Sequence, residues 1–250
     1  MLETMIALLL AHALADFVFQ TRQMVANKAD FRVLLGHILI VGLTSAALLG
    51  RFHWPVLGLI AASHLAMDAI KIHAMNDRLG AFVTDQAVHL GFIIIAALIW
   101  PGAYGGGIWA MPPALLAGFI PAGWFQAMPG VMVVMAGAIL AIRAGAFLIG
   151  KVMDPLKPHA ESDMNTGTGL PDGGALIGIL ERSLVFVFVL GGQFSAIGFL
   201  VAAKSILRFN PDQGQRAMTE YVIIGTLLSF GWAILVALAT TYLYRQTTGA

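Results

Sequence analysis

With 250 residues, of which 59% are apolar and only 11% charged, the chain carries too little polar surface to cover a water-soluble globule, and its composition is that of an integral membrane protein. A formal net charge of +1 gives no footprint for nucleic acid, and the absence of cysteine removes disulfides and thiolate metal sites.

A helix that crosses a bilayer needs about 17 to 25 mostly apolar residues, because roughly 30 Å of hydrocarbon is traversed at about 1.5 Å per residue. Eight such runs are expected, near 4–21, 33–50, 54–72, 81–100, 129–150, 174–190, 193–209 and 218–244. The first opens on "MLETMIALLL", without a basic leader, and contains His12 and Asp16, so it reads as a retained span. The stretch "GGGIWAMPPALLAGFIPAGWFQAMPG" at 105–130 is apolar but broken by Pro112, Pro113, Pro121 and Pro129. Those prolines argue against a clean helix, and Trp109 and Trp124 suit an interface, so a re-entrant or surface-lying element is expected there. The sixth and seventh runs are separated only by "GGQ" and should form a tight hairpin. The fold class is thus all-α, a polytopic membrane bundle of about eight transmembrane helices plus the proline-rich segment.

The polar stretch "DPLKPHAESDMNTGTGLPDGG" divides the chain into a five-helix part, 1–153, a loop, 154–173, and a three-helix part, 174–250. Its glycines make no phosphate loop, since no Lys and Ser or Thr follow, and Asp172 is a candidate helix cap. Alternate loops collect Arg22, Lys28, Arg32, Lys71, Arg78, Lys151, Lys157, Lys204, Arg208 and Arg216, against Arg51 and Arg245 on the other side. This asymmetry assigns the first set, with the polar loop, to the cytoplasm and both termini to the outside.

Three spans carry a histidine and an aspartate four residues apart: "AHALAD" with His12 and Asp16, "SHLAMD" with His64 and Asp68, and "DQAVH" with Asp85 and His89. A spacing of four keeps each pair on one helix face. The order is reversed in the third, which is what a helix running the opposite way needs to present its pair at the same level. From the cytoplasmic end the aspartates then lie about 6 Å deep and the histidines about 12 Å deep. His37 falls near the shallower layer. Ionisable groups inside a bilayer are expensive and usually belong to a site or pathway. Interhelical hydrogen bonding explains one such pair well. Three pairs at matching depths point instead to a divalent cation, Zn²⁺ or Mn²⁺, or Fe²⁺ in the same donor class, as one or two ions. Gln20, Thr84 and Gln86 are candidate outer partners, Lys71 reads as a snorkelling side chain, and His53, His73 and His159 receive no role.

The C-terminal part holds further charge. In "GALIGILERSLVFVF", Glu181 is a candidate general base or extra ligand, and His37 a candidate proton carrier. Arg182, with Lys204 and Arg208 of "AAKSILRFN", could receive an anionic headgroup. Arg216 and Glu220 read as a structural pair, and Arg143 needs an acidic or carbonyl partner.

The set "HALADFVFQ", "SHLAMDAIK", "DQAVH", "IGILER", "AAKSILRF" and "EYVIIGTLLS" resembles a bacterial inner-membrane family catalogued as a domain of unknown function. That resemblance implies an inner-membrane location and brings no activity. The N-terminal pattern is more distantly similar to bacterial membrane proteins described as metal-dependent hydrolases, from which "IGILER" and "AAKSILRF" depart. Together these readings lead to an expected intramembrane metal-dependent hydrolase of a lipid-linked phosphate or ester at the cytoplasmic leaflet, with metal held by His12, Asp16, His64, Asp68, Asp85 and His89. The alternative is a proton- or divalent-cation-coupled transporter using the same cluster. The expected partner is a membrane lipid or lipid-linked substrate, nucleic acid is not expected, and assembly with further copies of the chain is left open.

Overall fold

The computed structural model describes residues 1–75, 78–157, 173–207 and 216–249. Every regular element among them is a helix, as a chain in hydrocarbon requires when its backbone must satisfy itself. In chain order these are α1 (Leu2–Leu14), α2 (Arg22–Ala26), α3 (Phe31–Leu49), α4 (Trp54–Ala74), α5 (Leu79–Ile99), α6 (Ala114–Phe119), α7 (Ala122–Ile139), α8 (Gly145–Met153), α9 (Gly173–Leu190), α10 (Phe194–Leu207) and α11 (Arg216–Thr248). Thr21, Asp30 and His53 accept from Met24, Arg32 and Val56 backbone N–H groups, capping α2, α3 and α4.

Among the described residues seven helical stretches are long and apolar enough to cross a membrane, making this a multi-pass membrane protein. The seventh expected span, 193–209, corresponds to α10, whose 14 residues extend about 21 Å, short of the roughly 30 Å core. Gly192, at φ 69°, turns the chain between α9 and α10, where the "GGQ" hairpin was expected. The polar loop's residues 158–172, with His159 and the Asp172 cap, and also Arg208, lie outside the described residues.

The proline-rich segment departs from expectation at its C-terminal end. Residues 101–110 form successive turns and α6 is a single short helix, but from Ala122 the chain is helical straight through Pro129. Pro121 stands just before the first helical residue, where no donor is needed, and Pro129 removes only one rung. Buried prolines of this kind persist in membrane helices when neighbours accommodate the freed carbonyl.

Two compact units divide the described chain, Met1–Ile139 with Tyr242–Ala250, and Leu140–Thr241. In the first, α1 is the central helix, packed against α3, α5 and α7, while α4 packs against α3 and α5. Ile6, Leu8 and Leu10 of α1 are buried with Val41, Val56, Ile60, Ile93 and Met132. Loop 100–110 is stitched to this core: Thr4 Oγ1 donates to the Pro101 carbonyl, Ile108 N to the Gly50 carbonyl and Trp109 Nε1 to the Ala47 carbonyl.

Gly50 ends α3 at φ 69°, and a Cβ on Gly107 would drive into the Leu49 carbonyl. Gly107→Ala is therefore expected to destabilise the protein by about 1–3 kcal/mol through overpacking against backbone. Gly105→Ala, whose Cβ would meet nothing closer than 3.7 Å, serves as the near-neutral comparison in thermal unfolding in detergent.

In the second unit a π-helical turn at Leu140–Ala144 precedes α8, and α9 packs against that turn, α8 and α10. The absence of a side chain at Gly145 admits Trp232, whose Nε1 donates to the Leu140 carbonyl at 2.9 Å.

Candidate metal centre

At its C-terminal end α1 changes from α to π winding over Ala15–Phe19, closed by Gln20 N donating to the Ala15 carbonyl. A single π-turn inside an α-helix re-aims the side chains beyond it and is frequent at functional sites. Asp16 lies in this turn, with its carboxylate against three imidazoles. His12 Nδ1 is 3.8 Å from Oδ2, and His37 Nε2 and His64 Nε2 are 3.5 and 3.6 Å from Oδ1. His12 and His64 approach each other at 3.4 Å through Nδ1 and Nε2.

A second group adjoins the first. His89 Nε2 is 3.2 Å from Asp85 Oδ1, and Asp68 completes a set whose ligand atoms all lie within 4.8 Å of one another, as do those of His12, Asp16 and His64. The two sets are joined by the His64 and His89 rings, stacked with centroids 3.7 Å apart, and by His37, whose Nε2 also lies 3.8 Å from Asp68 Oδ2. Helix α1 with its π-turn, α3, α4 and α5 thus bring the six residues of the expected metal set, and His37 with them, to one locus, whereas Glu181, a further candidate ligand, is on α9 in the second unit. The reversed pair on α5 meets the other two as an oppositely directed helix must.

Burial is nearly complete: His12, His37, His64, Asp68, Asp85 and His89 are each no more than 3% exposed. Buried polar atoms are normally hydrogen-bonded. Here Asp16 Oδ1, Asp68 Oδ2, Asp85 Oδ1, both nitrogens of His37, and Nδ1 of His64 and His89 have no such partner. The donor set of imidazole nitrogens and carboxylate oxygens suits borderline divalent cations. Ligand atoms around a tetrahedral ion with bonds of about 2.1 Å lie roughly 3.4 Å apart. The nitrogen–oxygen separations of 3.2 to 3.8 Å bracket that value, and within each set no two ligand atoms are more than 4.8 Å apart, so the donors are of the type and spacing that could hold such an ion.

Three outer partners fix the cluster. Gln86 accepts from His12 Nε2 at 3.1 Å and donates to Asp85 Oδ2 and Asp16 Oδ2 at 3.3 and 3.5 Å. Lys28 Nζ donates to Asp68 Oδ1 at 2.6 Å, and Lys71 Nζ to Asp85 Oδ2 at 2.8 Å. These lysines were not anticipated. Lys71, read as snorkelling, had a signal in its position three residues beyond Asp68, whereas Lys28 comes from the segment after α2 and had none. Each takes the carboxylate oxygen that the cluster does not use.

In the second unit Glu181 and Lys204 pair with each other, while Arg182 is held by uncharged oxygens. Lys204 Nζ donates to Glu181 Oε2 at 2.8 Å and lies 5.9 Å from the Phe230 ring centroid. Arg182, 4% exposed, donates from Nε to the Ile142 carbonyl and from Nη1 to Ser229 Oγ. Gln20 Nε2 is buried without a partner, and His53 packs edge-on to Trp100 besides capping α4.

Residues 4–104 match the family model described as a protein of unknown function (DUF3307), which agrees with the resemblance for "HALADFVFQ", "SHLAMDAIK" and "DQAVH" and does not reach the C-terminal motifs that it also drew on. The matched stretch contains every His, Asp, Gln and Lys of the cluster and stops before "IGILER" and "AAKSILRF". No curated protein and no solved structure matches the chain.

Proposed function

We propose that the cluster holds one or two divalent ions, Zn²⁺ or Mn²⁺, and that the protein is an intramembrane hydrolase of a lipid-linked ester or phosphate. The observation that carries this reading is the convergence of three buried carboxylate oxygens, each without a hydrogen-bond partner, on imidazole nitrogens from four helices. Helix-to-helix glue would pair those atoms, since an unsatisfied buried acceptor loses roughly 1–3 kcal/mol.

In this reading Asp16, Asp68, Asp85, His12, His64 and His89 are the ligands. Gln86 holds His12 by Nε2 and so directs its Nδ1 to Asp16 and His64. His37, between Asp16 and Asp68 with neither nitrogen hydrogen-bonded, takes or returns a proton at Nε2. A bound ion supplies a water acidified toward neutral pH and a Lewis acid for the ester oxygen. The surrounding apolar helices keep bulk water from the site.

Elemental analysis of protein purified without added chelator tests the proposal. Stoichiometric metal is expected in the wild type and a strong fall in Asp68→Ala and His89→Ala. A wild type without metal would remove the basis of the hydrolase reading. Cation or proton flux into liposomes that vanishes in the same variants, without ester cleavage, would make the protein a carrier instead.

A further inference from the structure

Resting on that proposed metal centre, we infer that Lys28 and Lys71 form an anion-receiving rim over it, and that the substrate presents a phosphate rather than a neutral carboxylic ester. The cluster interior is closed, but one side is less so: Asp16 is 10%, Lys28 15% and Lys71 28% exposed at the side chain, against 1–2% for His12, His37, His64 and His89. The approach to the ions therefore passes the two ammonium groups. Each ammonium carries three donors and spends one on its aspartate, so two further N–H groups remain to be directed at a ligand.

Charge supports the same assignment. With neutral histidines, three aspartates and two lysines leave the metal-free cluster with a single negative charge. One divalent ion reverses that to a single positive charge, and two ions raise it to three. An excess of that size in a low-dielectric site calls for an anion, and a phosphate monoester dianion matches it where a neutral ester does not. Lys28 and Lys71 are separated from the inward oxygens Asp68 Oδ2 and Asp85 Oδ1 by the carboxylates themselves, so they need not leave when an ion binds.

The test uses the full-length protein in phosphatidylcholine nanodiscs, loaded with the metal that elemental analysis identifies. Inorganic phosphate is titrated by calorimetry, and retention of phosphatidic acid over phosphatidylcholine is read by native mass spectrometry, with metal content measured in every sample. Because each lysine also holds a ligand carboxylate, the variants are compared at equal metal content reached with metal in excess, and there Lys28→Met and Lys71→Met are each expected to weaken phosphate or phosphatidic acid binding by about tenfold or more. Lys28→Arg and Lys71→Arg, which keep the charge, should recover most of the affinity and show that the fold is intact. Selective retention of phosphatidic acid with no response to inorganic phosphate assigns a lipid headgroup, and the converse assigns free phosphate. Unchanged binding in both Met variants at full metal content overturns the inference and leaves the metal centre standing. Absence of metal from the wild type overturns both.

Discussion

Asp16→Asn is expected to lower metal affinity by more than about 100-fold, beyond the ten- to hundredfold typical of an outer partner, while leaving the metal-free protein at least as stable as the wild type. The reasoning turns on which carboxylate has a cation of its own. Asp68 is paired with Lys28 and Asp85 with Lys71, but Asp16 is met by three imidazoles and Gln86. Without an ion, Asp16 is the one carboxylate of the three with no lysine against it, so a neutral isostere orphans no cation and removes part of the desolvation penalty. Asp68→Asn behaves differently, because it orphans the Lys28 ammonium and should destabilise the metal-free form as well. A structural polar cluster gives the opposite pattern: Asp16→Asn would then destabilise the metal-free protein and have no metal to lose. Competition against chelators of graded strength reads affinity, and thermal unfolding of the metal-stripped protein in detergent reads stability. Gln86→Ala, which releases His12 Nε2, should fall between the wild type and Asp16→Asn, about ten- to hundredfold down in affinity.

What could be read from the residues beforehand was the part written in local periodicity. A spacing of four on a helix needs no knowledge of the fold, and the reversed order at Asp85 and His89 only makes sense if α5 opposes α1 and α4. His37 was legible for a similar reason, since its distance along a span sets its level. The contacts that complete the cluster are not periodic. Lys28 reaches Asp68 across 40 positions, from a segment whose sequence marks only a helix boundary and a turn. Nor does a proline reveal by type alone whether it breaks a helix. Pro129 looked like a breaker and is carried inside α7. Glu181 and Lys204 were given separate tasks because a helix face does not announce which neighbour it will meet, and in the fold they hold each other.

That pair carries the second large expected effect. Glu181 is 11% and Lys204 19% exposed at the side chain, and the two meet at 2.8 Å in the second unit. Glu181→Leu leaves an ammonium, and Lys204→Met leaves a carboxylate, without its counter-charge in a poorly solvated place. Each single change is expected to destabilise by about 3–5 kcal/mol. The double variant Glu181→Leu with Lys204→Met removes both charges and should return close to wild-type stability, because the interaction largely offsets the desolvation of its own members. A double-mutant cycle by thermal or denaturant unfolding in detergent gives the coupling directly. If the single changes are as harmless as the double, the pair contributes nothing to the fold. Metal content measured across the same four proteins separates structure from catalysis. A structural pair leaves the double variant fully loaded, whereas a double variant that folds normally but has lost metal returns Glu181 to the ligand set.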